Sequence, residues 1–482
     1  MKNTKVILLA FLGFTIFTGC DTNFEEINTD PDSSTELPAH LLLGYTQRWY
    51  SNTMHNLLAG AGGDMGAMWA QSWSKVQYND EERYVPRRNT MDAIFGNIYT
   101  TVISEATAME ALAMTEGNTN LAAVGKIMQA VGFQTLTEMY GPIPFTEAID
   151  GSNLQPIYDD ESVVFEGVIQ LLTDAADMLA NGSGSITASS DLWYGGDANK
   201  WRKLANTLKF RALMRISSTR SVGGELQALV GSMMTSNDDN AQIQYLSVSP
   251  DAWPAFETIV DGNRLEYKIN SLMVETLESL NDPRLPVYAA PAASDGALRG
   301  KPGGYGLTTT LPNEALGLTY ANISGIGAFY LSPTLPGKTM AYSELMFLMA
   351  EAANEGYISG GLAAVNNYYN AGITASFQWN GVDSAAGAYL AQDGIAITSQ
   401  NDGRSKIGTQ KWISLFGQGY EQWTEWRRTK VPALTPVIEG NINQIPTRYF
   451  YPTTEPSFNK ANYDDAVSRI GSDELTSGLY WQ

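Results

Sequence analysis

Two histidines, His40 and His55, and one cysteine, Cys20, are the only residues of their kinds in 482, and that scarcity removes whole classes of chemistry. One thiol cannot form a disulfide within the chain. Neither a Cys/His-rich zinc site nor an HExxH helix can be assembled from this set. A Ser-His-Asp triad would have to use one of the two histidines, and no GxSxG turn is present. Gly337-Lys338-Thr339 ends like a phosphate-binding loop, but Ser332 stands where that loop needs its first glycine. What remains for catalysis is carboxylates, Lys, Tyr and Ser. With 51 acidic residues, two carboxylates at glycosidase spacing are an open alternative, although no local pattern marks such a pair. Asn237-Asp238-Asp239-Asn240 offers oxygens to calcium, but no glycine sits where an EF-hand loop requires one. A solvated turn is the expectation there, and no metal and no cofactor is assigned.

Cys20 stands at a position with its own chemistry. Lys2 and Lys5 precede Val6–Phe17, a run of 12 mostly apolar residues. That is short of the ~20 a membrane span needs and fits the core of a signal peptide. The run ends Phe17-Thr18-Gly19-Cys20, which resembles a bacterial lipobox with Phe17 where Leu is usual. Cleavage there would leave Cys20 first in the chain, lipidated on its thiol and amine, and two or more acyl chains anchor a protein stably. Residues 1–19 therefore read as a lipoprotein signal peptide. Residues 20–37 read as a flexible acidic tether carrying Asp21, Glu25, Glu26, Asp30, Asp32 and Glu36 with Pro31. Losing Lys2 and Lys5 with the signal takes the net charge from −21 to −23. So acidic a chain argues against a nucleic-acid partner, since phosphate binding needs clustered cations.

The rest of the chain must supply the scaffold. Hydrophobic residues make up 44% and charged residues 17%, enough apolar content for a large core. Leu121–Tyr140, Val163–Ala180, Ile269–Leu280 and Met340–Glu355 carry apolar residues at helical spacing and end at Gly, Asn or Pro signals. Asp197 is placed to cap a helix whose stripe is Trp201, Leu204, Ala205, Leu208, Ala212 and Ile216, with Lys203, Lys209, Arg211 and Arg215 largely off it. Lys406–Trp426 aligns Trp412, Phe416, Tyr420 and Trp423 as one further helix. Between Pro286 and Gly337, 15 of 52 residues are Gly or Pro, which excludes long helices and predicts an irregular surface insertion. The fold class expected is mainly α, with residues 38–482 as a single domain.

Several phrases, in order along nearly the whole chain, carry a resemblance. They are Cys20 followed by Phe24-Glu25-Glu26-Ile27-Asn28-Thr29-Asp30-Pro31; Tyr194-Gly195-Gly196-Asp197 with Trp201, Ala205-Asn206-Thr207-Leu208-Lys209 and Arg211; and Asp282-Pro283-Arg284-Leu285. Ser343-Glu344-Leu345 with Ala350-Glu351-Ala352 follows, then Gln410-Lys411-Trp412, Gly419-Tyr420-Glu421, Trp426-Arg427-Arg428, and Ile445-Pro446 with Arg448 and Tyr451-Pro452. Together they resemble the SusD/RagB family of outer-membrane nutrient-binding lipoproteins, in its SusD-like branch. The resemblance implies tetratricopeptide-like helix pairs with irregular loops carrying the ligand site. It implies a non-enzymatic protein, lipid-anchored at the cell surface in the outer membrane. The implied partner is a SusC-like TonB-dependent outer-membrane transporter, over which the protein sits as a lid. The ligand implied is usually an oligosaccharide and sometimes a peptide. A family-type buried bridge would pair Glu351 with an arginine such as Arg284.

A sugar offers apolar ring faces and hydroxyl edges, so its site needs flat aromatics beside Asn, Asp, Gln or Arg. Two stretches carry that mixture. One holds Trp69, Gln71, Trp73, Tyr78, Asn79, Asp80 and Arg83; the other, inside the insertion, holds Tyr305, Asn313, Tyr320, Asn322 and Tyr330. The ligand-binding candidates are Trp69, Trp73, Tyr78, Arg83, Tyr305, Tyr320 and Tyr330, at a site where Asp64–Arg83 meets Pro286–Gly337. Core packing is the competing expectation, since Trp69 and Trp73 lie four residues apart and can share a helix face. Trp201, Trp412 and Trp423, on apolar stripes, are expected in the core, and Arg427 and Arg428 are expected to pair with Glu421 and Glu425 on one helix. Three function classes are open at this point: a solute-binding lipoprotein, a glycan-degrading enzyme using paired carboxylates, and a structural lipoprotein that assembles with a barrel.

Overall fold

The apolar periodicity becomes helix in the computed structural model, which describes residues 37–305 and 317–482. Twelve helices of nine or more residues occur among the described residues. In the first half they are α1 (His40–His55), α2 (Arg88–Asn97), α3 (Ser104–Thr115), α4 (Thr119–Tyr140), α5 (Glu161–Asn181) and α6 (Ala198–Arg215). In the second half they are α7 (Ser271–Ser279), α8 (Tyr342–Asn354), α9 (Gly361–Trp379), α10 (Gln400–Ser414), α11 (Gly419–Thr429) and α12 (Lys460–Ile470). The signals that set their ends are local. Asn118 caps α4 by accepting the N–H of Leu121, and Asp197 caps α6 by accepting those of Asn199 and Lys200, as its place before the Trp201 stripe predicts.

Helices adjacent in sequence pack in pairs: α3 on α4, α4 on α5, α5 on α6, and later α8 on α9. Residues 39–482 form one compact unit whose largest fully buried side chains include Trp69, Trp201, Trp412, Trp423 and Trp481. Among the described residues strand structure is limited to two short antiparallel pairs. β1 (Trp73–Lys75) pairs with β3 (Tyr267–Ile269), placing Trp73 opposite Ile269 and Lys75 opposite Tyr267. β2 (Ala241–Ile243) pairs with β4 (Gly337–Met340). In the described parts of the Pro286–Gly337 insertion the backbone is irregular; its only helical pieces are four residues long, Leu285–Tyr288 at its start and the 3-10 turn Ala328–Leu331. No helix among the described residues is long and apolar enough to cross a membrane. Cys20, the signal peptide, the tether up to Glu36 and Asn313 lie outside the described residues.

Three expectations need correction. Lys406–Trp426 is not one helix: α10 stops at Ser414 and α11 starts at Gly419, with Gly417 between them at φ 82°, a left-handed conformation that ends helices. Arg211 and Arg215, placed off the apolar stripe of α6, are nonetheless both buried. Arg215 donates to Glu138 at 2.8 Å, to Glu421 at 2.6 Å and to Glu425, and Arg211 lies 3.5 Å from Glu344. Carboxylates from α4, α8 and α11 thus draw the cations of α6 inward, which an apolar stripe cannot reveal. Finally, Glu351 pairs with Arg428 through two 2.6 Å bonds, whereas Arg284 pairs with Asp282 and Gln410. Arg428 also bonds Glu425 as expected, but Arg427 is fully buried and stacks 3.6 Å from the centre of the Trp423 ring.

Candidate functional site

The end of β1 and the residues that lead into β3 border an open cleft of about 950 Å³, lined by Asp64, Lys75, Arg87, Arg264 and Glu266. Lys75 on β1 and Tyr267 on β3, opposite each other in the ladder, both reach the buried carboxylate of Asp64. Lys75 donates to it at 3.1 Å, Tyr267 at 2.6 Å and Arg87 at 2.7 Å. Burial and the nearby Asp64 charge push the Tyr267 phenol far above its ordinary range, so it stays a donor. Arg87 also pairs with Glu81 at 2.5 Å. Burial, then the Asp64 charge, raises the Glu81 carboxyl above its usual value, with Arg87 opposing. On the opposite wall Arg264 pairs with Glu266 at 2.5 Å. The cations and anions of the cleft are therefore largely matched with one another.

Two tyrosines face this polar floor. Tyr78 is 70% exposed and Tyr320 36%. Each is backed by a cation: Arg264 lies 5.4 Å from the Tyr78 ring centre and Lys268 lies 4.7 Å from that of Tyr320. Tyr78 sits at φ 51°, a conformation that is strained for a bulky residue and clusters at functional sites. With Gln77, Asp80 and Asn263 on the rim, the cleft offers flat apolar faces surrounded by amides and carboxylates. That arrangement suits a neutral polyhydroxylated ligand.

The two candidate stretches meet. Asn79 donates to the carbonyl of Gly304 at 3.1 Å, Lys301 donates to Ser74 at 2.9 Å, and Tyr78 and Tyr320 line the same cleft. The other candidates are placed elsewhere. Trp69 is 0% exposed, donates to the carbonyl of Glu81 at 2.8 Å and packs on Trp423 and Tyr449. Trp73 is 2% exposed against Tyr267 and Phe416. Tyr330 is 2% exposed, packs on Phe416 and donates to Asn380 at 2.9 Å. The reading of Trp69, Trp73 and Tyr330 as ligand contacts is therefore corrected: their rings are enclosed in the core. Trp69 and Trp73 do not share a helix face either, because Trp73 begins β1. Arg83 turns away from the cleft and donates to the carbonyl of Glu439 at 3.0 Å. Tyr305 lines a separate cavity of about 220 Å³.

Sequence reading missed Lys75, Arg87, Arg264, Glu266 and Lys268. A signal existed in Arg264-Leu265-Glu266-Tyr267-Lys268, whose charged residues alternate at the strand period. In the turn at Asn237–Asp239, Asp239 is held by Lys203 at 2.9 Å and by Thr235, so its carboxylate is committed. Among the described residues no group of three or more His, Cys, Asp or Glu side chains is placed to hold a metal ion.

The family described as "Starch-binding associating with outer membrane", SusD-like, matches residues 32–452. A search of curated proteins gives no match. Among solved structures the chain is similar to a chitin-binding protein, at 25% identity with a TM-score of 0.81, covering 92% of this chain and 99% of that one. It is also similar to an outer-membrane protein from Bacteroides vulgatus described as a candidate for nutrient binding, at 25% identity and TM-score 0.78, covering 92% and 100%. A chitin-binding SusD homolog from Flavobacterium johnsoniae shares the fold at 21% identity and TM-score 0.76, covering 92% and 97%. The match over most of the chain, on a mainly helical frame shared with these structures, means that this chain belongs to the SusD-like family.

Proposed function

We propose that the chain is a surface-exposed outer-membrane lipoprotein that binds an oligosaccharide in the Tyr78–Tyr320 cleft and delivers it, uncleaved, to a SusC-like TonB-dependent transporter. The observation that carries the binding step is the cleft itself: two exposed tyrosines over a floor of matched charges. Each tyrosine stacks on a pyranose face, and Gln77, Asp80 and Asn263 meet hydroxyl edges. A mature net charge of −23 repels polyanions at long range and favours a neutral sugar. Chitin, named for two similar structures, and starch, named for the family, are the first ligands to try. Cys20 supplies the anchor and residues 20–37 the tether.

The purified protein, incubated with chitin and malto-oligosaccharides, is expected to retain one series on a native affinity gel without generating reducing ends. New reducing ends would make it a hydrolase with paired carboxylates. Retention of a peptide pool in place of both glycans would move it to peptide uptake.

A further inference from the structure

A second cavity of about 220 Å³ opens between the start of α7 and the 433–438 segment. Tyr305, Leu272 and Val437 give it apolar walls, and Glu275 stands exposed at its side. Asn270 also lines it and is 2% exposed. This residue caps α7: its Oδ1 accepts the N–H of Leu272 at 2.9 Å. That bond fixes which way the amide faces and leaves Nδ2 as a donor, and Nδ2 is buried with no hydrogen-bond partner. Buried donors are nearly always satisfied, so an orphan of this kind asks for a missing acceptor. Gly303 packs beside this donor: a Cβ there would lie 3.4 Å from Nδ2 and 2.8 Å from Val437. One hydrogen bond links the wall of this cavity to that of the cleft. Tyr78 is followed by Asn79, which donates to Gly304, and Gly304 is followed by Tyr305.

We infer that this cavity is a second glycan subsite, taking one pyranose ring of a chain whose neighbouring rings occupy the Tyr78–Tyr320 cleft. The inference rests on the glycan-binding reading above. The ring stacks on Tyr305, a hydroxyl or acetamido oxygen accepts from Asn270 Nδ2, and a second hydroxyl donates to Glu275. The volume, below the ~300 Å³ at which drug-sized pockets begin, limits the cavity to one ring.

The test is calorimetric titration of the full-length protein with chitobiose, chitohexaose, maltose and maltohexaose. Asn270→Asp keeps the capping oxygen and removes the donor; Tyr305→Ala removes the stacking face without touching the cap. Tyr305→Ala is expected to melt as the parent does, whereas Asn270→Asp puts a carboxylate in a buried site and is expected to melt lower, so both are titrated well below their midpoints. Both should bind the preferred hexasaccharide about tenfold more weakly, the worth of one good contact, while disaccharide binding is unchanged. Parent-like hexasaccharide binding in both variants overturns the subsite and leaves the cleft standing. Equal losses on disaccharide and hexasaccharide overturn it too, since the cavity would then not be separate. A parent protein that binds none of the four sugars overturns both readings.

Discussion

Tyr78 holds an unfavourable backbone conformation and an exposed ring at the same time, while Trp73, five residues earlier, is enclosed by Tyr267 and Phe416. The two aromatics should therefore respond to truncation in opposite ways. Tyr78→Ala is expected to weaken oligosaccharide binding roughly 5- to 150-fold, about 1–3 kcal/mol, with an unchanged melting temperature. Trp73→Ala should cost about 3–5 kcal/mol of stability, read by thermal melting, and lose binding only in proportion to unfolding. Glu161, in the first turn of α5, gives a separate pH signature. Burial pushes its carboxyl up to about 8 from the ordinary 4.5, against the N–H of Tyr480 and the charge of Arg448. Between those two values the folded state keeps a proton that the unfolded state has released, so this group makes stability fall as pH rises through that window. Glu161→Gln should flatten that part of the profile. Calorimetry should find the variant more stable than the parent at pH 8 and no more stable at pH 4.5.

Elements differed in how far the sequence disclosed them. α4, α5, α6 and α8 were legible because an apolar stripe repeats along them and a cap or a glycine closes them. The break between α10 and α11 was hidden, since Trp412, Phe416, Tyr420 and Trp423 continue one stripe across it. Gly417 was the local clue. It sits at φ 82°, and a Cβ there would come within 2.9 Å of the Tyr330 ring. Gly417→Ala is expected to cost about 1–2 kcal/mol for the left-handed backbone alone, seen as a lower denaturation midpoint, with sugar affinity retained. The candidate site was half legible for a related reason. Composition pointed to Tyr78, Tyr320 and the meeting of two stretches, but composition cannot separate a wetted ring from a packed one. Trp69, Trp73 and Tyr330 differ from Tyr78 only in tertiary surroundings. The floor residues were missed because Lys75 and Tyr267 become neighbours through a strand pairing that spans nearly two hundred residues.

At the scale of the whole molecule, the proposed anchor at Cys20 is tested by localisation. Cys20→Ala should move the protein from the membrane fraction to the soluble fraction, as read by fractionation and immunoblotting, with no loss of sugar binding in the purified form. The seventeen residues Asp21–Leu37 can span up to ~55–60 Å when extended, a reach that would suit the proposed tether. The closure of the fold carries a further consequence. The carbonyl of Ala70 is held by Trp412 at 2.9 Å, Ser72 donates to Gln422 at 2.6 Å, and Trp69 packs on Trp423. The segment that leads into the cleft is thus clasped by helices about 340–350 residues later in the chain, and pairings of such separation form slowly. The helix pairs of the first half can form as the chain emerges, but this segment cannot be covered then. The Trp69–Lys75 segment must wait, uncovered, until the last third of the polypeptide arrives, and competence to bind is acquired at the end. In refolding from denaturant, sugar binding should recover with the slowest phase, after most of the helical circular dichroism has returned. A chain stopped before Gly419 should regain helix yet never bind, because the side chains that cover Trp69 and Ser72 would be missing.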